Sequence, residues 1–245
     1  MRCAPQNYGE IWKLKSTDGS KVAVIVPTLN EEGSIAEVIR ELNQMGYHNI
    51  LIVDGNSGDR TVEIAKELGV NILVQTGRGK GAALREAFNH AGVEGDTVVM
   101  LDADGSMDPK EIPSFIEALD SGADLAKGSR FLSYGYSEDM NLIRRIGNLF
   151  FLSLVNIFWS ANYTDLCYGF GAFRRRALDR IYPYLRSTNF EIETEVFIKA
   201  RKFGLKVVEV PSIESRRRYG KSNLDSIRDG FLILKAIVKE LVNGH

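Results

Sequence analysis

The 245-residue chain is poor in the residues that build covalent or metal-held scaffolds. Its two cysteines, Cys3 and Cys167, sit in unlike contexts with no CxxC pair, so neither a disulfide framework nor a zinc site is expected, and a reducing cytoplasmic setting is. Only three histidines occur, His48, His90 and His245, none in a motif that would poise it as an acid or base. No G-x-G-x-x-G follows the first apolar run, which excludes the usual dinucleotide-dependent oxidoreductase. The N-terminal stretch lacks the apolar core of a signal peptide. The longest apolar stretch, Leu149 to Trp159, is interrupted by Ser153 and Asn156. It falls short of the roughly 20 residues that span a bilayer, so an integral membrane protein is not expected.

What is present reads as a globular chain, with 44% hydrophobic and 26% charged residues. The length suits one large α/β domain or two small ones. Net charge is −1 but unevenly spread: residues 1–125 carry 11 Lys and Arg against 20 Asp and Glu, the remainder 20 against 12. The basic second half is expected either to meet an anion, such as phosphate or a lipid surface, or to neutralise the first half across an interface. Nothing in this distribution points to nucleic acid.

From Lys21 onward short β-branched runs alternate with helix-like segments. Strands are expected at 21–27, 49–54, 71–75 and 97–101, with helices over 31–45, 59–68 and 80–91 between them. Runs without polar alternation imply burial on both faces, hence a mostly parallel sheet flanked by helices. Ligands of such sheets bind beyond the carboxyl ends of the strands. The segments there are PTLNEE, DGNSGDRT, TGRGKG and DADGSMDP, all polar or Gly-rich. After Asp124 a loop (128–140), a long apolar helix (141–159), a short strand (169–173), a helix (190–203) and a last strand (206–211) follow. Residues 224–242 place Ile227, Phe231, Leu234, Val238 and Leu241 at steps of three and four, the pattern of an amphipathic helix. The expected division is an extension over 1–20, a nucleotide-binding catalytic domain over 21–223 and a terminal amphipathic helix over 224–245.

The sharpest local signal is Asp102-Ala103-Asp104 at the end of an apolar strand. Extended backbone would turn both carboxylates to one side, making a hard oxygen site for Mg²⁺ or Mn²⁺. The same pair also fits a loop that caps the helix after Pro109. Asp54, closing the second strand, could accept from a ribose or a base N–H, and Asn30 could equally be a helix N-cap. Gly77 to Gly81, with Arg78 and Lys80, reads either as a cationic loop beside a nucleotide or as a solvated turn. Arg130, Arg144 with Arg145, and Arg216 to Arg218 could converge on a phosphate; Arg174 to Arg176 fits a solvated face.

Taken in order, VPTLNEE (26–32), VDGNSGDRT (53–61), GKGAALREA (79–87), LDADGSMDP (101–109), GSRF (128–131), Asp165 with GFGAFRR (169–175), and EVPSIESRRRYGKSN (209–223) resemble family 2 glycosyltransferases of the GT-A fold. Within them the likeness is to the polyprenyl-phosphate, dolichol-phosphate mannose synthase-like branch. The resemblance implies a nucleoside pocket at Pro27, Leu29 and Glu31, closed by Val53 and Asp54. It implies nucleotide and metal contacts at Asp102, Ala103 and Asp104 with Ser106 completing the metal shell, and acceptor-phosphate contacts at Arg130, Arg144 and Arg217. The sequence departs from the family pattern at Gly55, where a second Asp is usual, at Asn148, where Ser is common, and at Asn223, where Lys is usual.

The implied reaction is an inverting transfer of a hexose from a nucleotide diphosphate-sugar, of GDP-mannose or UDP-glucose type, to a polyprenyl or dolichyl phosphate. A lipid phosphate is already anionic and needs no strong base. A sugar-hydroxyl acceptor would need one, with Asp165, Glu191, Glu193 and Glu195 as candidates. Leu149 to Trp159, flanked by Arg144 and Arg145, fits a helix lying in a membrane interface as well as one packed in the core. The terminal helix has both options and dimerisation as a third. Anchoring is thus expected through peripheral contact on the inner face of a membrane or through a partner. LDADGS also resembles haloacid dehalogenase-like phosphatases, and a nucleotide-sugar-binding subunit without catalysis is the non-enzymatic alternative.

Overall fold

The computed structural model describes residues 19–90, 95–222 and 224–243. All but the end of the expected N-terminal extension, and Asn223, therefore lie outside the described residues. In chain order the elements are β1 (Val22–Thr28), α1 (Ile35–Gln44), β2 (Asn49–Asp54), α2 (Thr61–Glu67), β3 (Asn71–Val74), α3 (Lys80–Phe88) and β4 (Thr97–Met100). Then come α4 (Ile112–Asp120), β5 (Leu125–Ser129), β6 (Tyr136–Ser137), α5 (Leu142–Trp159), β7 (Gly171–Arg174) and α6 (Arg175–Ile181). The chain ends in α7 (Ile192–Lys202), β8 (Val207–Pro211), β9 (Ile213–Glu214) and α8 (Ser226–Val242).

Seven strands form one sheet in the order β3-β2-β1-β4-β7-β5-β8, and β6 pairs with β9 in a small ribbon. The pairings β1–β2, β2–β3, β1–β4 and β5–β8 are parallel, while β7 runs antiparallel to both β4 and β5. The sheet is α/β and mostly parallel, of the expected GT-A type. Its apolar runs serve two cores at once. Ala23 and Ile25 of β1 face the layer of α3, α6 and α7, with Phe151 of α5 and Ile233 of α8. Val22, Val24 and Val26 face the layer of α1 and α4. Period-two alternation thus buries every residue of the run.

Several short elements escape the sequence pattern. β5 contains Lys127 and Gly128 and reads as loop; Lys127 is fully buried because its ammonium meets Glu209 at 3.1 Å and the carbonyls of Asp165 and Gly128. α6 is short and begins inside the Arg174 to Arg176 run, while α4 is the helix expected after Pro109. Arg174 binds the Leu119 carbonyl and Arg175 binds Asp179 and the Phe88 carbonyl, so these two help hold the fold together, while Arg176 is solvated as expected. Asn30 is not the cap of α1, which starts at Ile35; its side-chain oxygen accepts from Gly58 N–H instead.

The connections run β1 to β3 on one side of β1, and β4 opens the other side. That reversal between β1 and β4 is the topological switch where such sheets bind ligands.

Candidate functional site

Above the carboxyl ends of β1, β2, β3 and β4 lies a cleft of about 820 Å³ that continues between α5 and α8. One end is lined by Pro27, Leu29, Glu31, Val53, Gly55 and Gln75, the middle by Lys80, Asp102, Ala103, Asp104 and Ser106. The other end is lined by Ile143, Arg144, Asn148, Phe151, Gly230 and Ile233.

β4 stops at Met100, so Asp102 and Asp104 are presented by the following turn and not by strand alternation. Gly105 holds φ +73 in that turn, and a Cβ there would strike the Arg218 side chain, at 2.4 Å from Cδ. The aspartate side chains are 30% and 19% exposed, and both face cations. Lys80 Nζ lies 2.6 Å from Asp102 Oδ1 and 2.7 Å from Glu193 Oε1, and Arg217 Nε lies 3.6 Å from Asp104 Oδ2. Burial opposes the charge on Lys80, but Asp102 and Glu193 outweigh it and hold the ammonium above the usual lysine range. Gly169 makes this packing possible, since a Cβ there would sit 2.7 Å from Glu193 Oε1 and 2.9 Å from Lys80 Nζ.

Among the described residues no group of three or more His, Cys, Asp or Glu side chains forms a complete metal cage. Two carboxylates and the Ser106 hydroxyl are what the chain offers. That is the donor set of a Mg²⁺ or Mn²⁺ site completed by substrate phosphates and water, so the residues fit the ion.

Glu31 is pushed up to about 7 by burial, against the pull of Arg217, which binds both its oxygens. Arg217 therefore ties the first strand end to Asp104. Arg218 reaches Glu37 and Glu41 of α1 at 3.1 and 3.0 Å, and Tyr219 lies on Gly33, where a Cβ would overlap its ring. The segment after β9 is thus strapped across the entrance of α1.

Asp54 lies buried between Val53 and Gly55, which face the cleft, and spends both oxygens on the N–H groups of Asn56 and Ser57. It shapes the cleft wall instead of lining it. Arg130 lines the cleft, but its guanidinium is largely committed: Nε and Nη2 bind Asp165 at 2.7 and 3.0 Å, Nη2 binds the Cys167 carbonyl, and Nη1 binds Glu214. Burial would raise Asp165, yet Arg130 and Lys127 hold it below the usual carboxylate range. Arg144 pairs with Asp139 at 3.0 Å, 24% exposed, and its Nε is buried with no acceptor.

The three glutamates of α7 and its start go three ways. Glu191 caps Thr188 and Asn189, Glu195 accepts from Arg186 and Ser187, and Glu193 alone enters the cleft. Gly77 N–H and Thr76 N–H are taken by Glu86, so these two backbone donors are not open to a phosphate. Gln75 and Glu214 were not expected as cleft residues, the first marked only by its strand-end position; Asn148, noted only as a departure from the family pattern, lines the cleft as well.

Residues 23–182 match the family described as glycosyl transferase family 2. Over 213 residues the chain is 35% identical to glycosyltransferase AglJ of Haloferax volcanii, covering 86% of this chain and 69% of that one. It is 32% identical over 220 residues to a dolichyl-phosphate hexose transferase of the same organism, covering 89% and 92%. In fold it is similar to glucosyl-3-phosphoglycerate synthase from Mycobacterium tuberculosis, in complex with Mn²⁺, UDP-glucose and phosphoglyceric acid, with TM-score 0.74, 20% identity, and 98% and 86% of the two chains covered. The phosphatase and non-enzymatic alternatives fall with these matches. The chain belongs to glycosyl transferase family 2, related to the dolichyl- and polyprenyl-phosphate sugar transferases, and is a GT-A-fold enzyme that moves a sugar from a nucleotide diphosphate-sugar to an acceptor.

Proposed function

We propose that the acceptor is a polyprenyl or dolichyl phosphate at a membrane surface, and that the reaction is a single inverting displacement. One observation carries this reading: a single cleft joins the acidic strand ends to an apolar, basic end between α5 and α8. At that far end Arg144 Nε and Asn148 Nδ2 are buried donors with no protein acceptor. Asn148 cannot flip to relieve this, because its Oδ1 already accepts from Leu166 and Cys167 N–H. Orphaned buried donors fit an anion that arrives with the ligand.

The donor lies with its nucleoside against Pro27, Leu29, Glu31 and Val53 and its diphosphate beside Lys80, Asp102 and Asp104. Asp102, Asp104 and Ser106 would hold Mg²⁺ or Mn²⁺, which supplies neutralisation of the charge that builds on the leaving diphosphate. An acceptor phosphate oxygen attacks the anomeric carbon as the bond to the diphosphate oxygen breaks. Because that oxygen is already anionic, no proton is removed, and the residues act mainly by positioning. Arg144 and Arg217 would orient the acceptor phosphate. Arg130 contributes its one uncommitted N–H direction and holds Asp165 and Glu214 in place. A sugar-hydroxyl acceptor would require a base, and Glu193, engaged by Lys80, is the one former candidate in the cleft.

The exterior fits the same reading. α5 spans 18 residues with mean hydropathy 1.3, long and apolar enough by length and composition to cross a membrane, and 11% of it is buried. It packs on α8, and Ile143, Ile146, Phe150 and Ile157 of α5 with Ile227 and Phe231 of α8 are exposed. Arg144 and Arg145 begin α5, which is the composition of a helix pair lying in an interface. In this reading residues 21–223 form the catalytic unit and α8 is the interfacial helix, on the cytoplasmic face.

The test is transfer from radiolabelled GDP-mannose and UDP-glucose to polyprenyl phosphate in vesicles, beside free sugars and glycosides. Product on the lipid phosphate with inverted anomeric configuration supports the proposal. Transfer to a sugar hydroxyl alone, with none to the lipid, refutes it.

A further inference from the structure

We propose that Gln75 reads the donor's nucleobase, its Oε1 accepting a hydrogen bond from an N–H on the base edge. The proposal rests on the reading of this cleft as a nucleotide-sugar site and names the residue that selects the nucleotide within it. Gln75 directly follows β3, and its backbone is clamped on both sides: its N–H donates to Asp54 O at 2.9 Å, and its carbonyl accepts from Asn56 Nδ2 at 3.2 Å. The side chain is 5% exposed and lines the cleft beside Val53, Gly55 and Asn56. Its Oε1 is buried and has no hydrogen-bond partner. A buried acceptor left unpaired is costly, and in native proteins such atoms are normally satisfied by a partner the protein itself does not supply, a ligand or a water.

Several neighbouring polar groups are already engaged. Both oxygens of Asp54 serve Asn56 and Ser57, Thr28 Oγ1 binds Val26 O, and Asn30 Oδ1 binds Gly58 N–H. The next position, Gly55, has no side chain, and even a Cβ there would lie 3.2 Å from Thr28 O and 3.4 Å from Leu29 Cβ. The other orphaned atoms among the described residues belong to Arg144, Asn148, Glu191 and Thr194, none of them on β1, β2 or β3 or the segments that follow these strands. Pro27, Leu29 and Val53 offer apolar surface to the faces of a ring, and Gln75 offers its edge the orphaned acceptor at this end of the cleft. A site built to pair a ring N–H discriminates strongly against ligands that lack it.

The test is calorimetric binding of UDP, GDP, ADP, CDP and inorganic pyrophosphate, each with Mn²⁺, to wild type, Gln75→Met and Gln75→Glu. Wild type should favour one nucleoside diphosphate over pyrophosphate; Gln75→Met should lose about tenfold or more for that nucleotide and nothing for pyrophosphate. Gln75→Glu keeps an oxygen acceptor and should stay within about threefold of wild type. Pyrophosphate binding certifies the fold of each variant. If wild type prefers a nucleoside diphosphate and Gln75→Met does too by the same factor, Gln75 does not read the base and the cleft assignment stands. An equal loss for nucleotide and pyrophosphate would make its role structural and overturn the proposal. Wild type that binds no nucleoside diphosphate better than pyrophosphate overturns both the proposal and the reading beneath it.

Discussion

Lys80→Met should destabilise the enzyme, and Glu193→Gln in the same chain should repair much of the damage. Lys80 Nζ is the shared partner of Asp102 and Glu193, at 2.6 and 2.7 Å, with the Lys80 and Glu193 side chains only 11% and 8% exposed. Removing one partner of a buried ion pair costs about 3–5 kcal/mol, because the other charge is left unpaired out of water. Asp102 is partly solvated, which argues for the lower end, about 3 kcal/mol. For a chain of this size that loss lowers Tm by roughly 6–12 °C. Glu193→Gln removes the stranded charge, so the double variant should recover at least about 1 kcal/mol relative to Lys80→Met alone. Guanidinium denaturation of wild type, both single variants and the double variant gives the full cycle. A Lys80→Met midpoint indistinguishable from wild type, or a double variant less stable than Lys80→Met, would refute the reasoning.

Two further outcomes follow from the same structure. Glu111 is pushed up to about 7 by burial, against hydrogen bonds from Ser212 Oγ and Ile213 N–H. Folding therefore favours its protonated form: that stability is fully present below the ordinary value of 4.5 and lost as pH rises through about 7. Glu111→Gln should remove Glu111's share of the slope, at most about 3 kcal/mol, in denaturation series between about pH 4.5 and 8, leaving the share of Glu31; equal slopes in both proteins would contradict it. Ile143→Glu with Phe231→Glu should cut binding to anionic vesicles at least about tenfold in flotation assays, since two exposed apolar anchors are lost and two like charges gained. Their stability should hold, because both side chains are more than half exposed. Unchanged flotation would remove α5 and α8 from the membrane account.

The central sheet was legible because each run is apolar throughout and each is followed by polar, Gly-rich residues. β1, β2 and β4 carry that signature and sit side by side. β7 was not legible as the antiparallel strand between β4 and β5, since pairing direction leaves no mark in four residues. β5 was hidden by Lys127, a residue that looks solvated until Glu209, over 80 positions away, neutralises it. Among the cleft residues, Asp102 and Asp104 could be found from their position at a strand end. The commitments of Arg130 to Asp165 and of Arg217 to Glu31 could not, because they join segments 35 and 186 residues apart. Asp54 shows the converse: a strand-end aspartate that looks like a ligand contact spends itself on its own loop.

The account stands on Asp102 and Asp104 receiving a divalent cation that the donor's diphosphate shares. Calorimetry of UDP and GDP binding, with Mn²⁺ and with chelator, to wild type and Asp104→Ala tests this most directly. Mn²⁺ should raise the affinity of wild type for its nucleotide by about tenfold or more, and that gain should vanish in Asp104→Ala. Equal affinity with and without metal in wild type, or a full metal-dependent gain in Asp104→Ala, would contradict it.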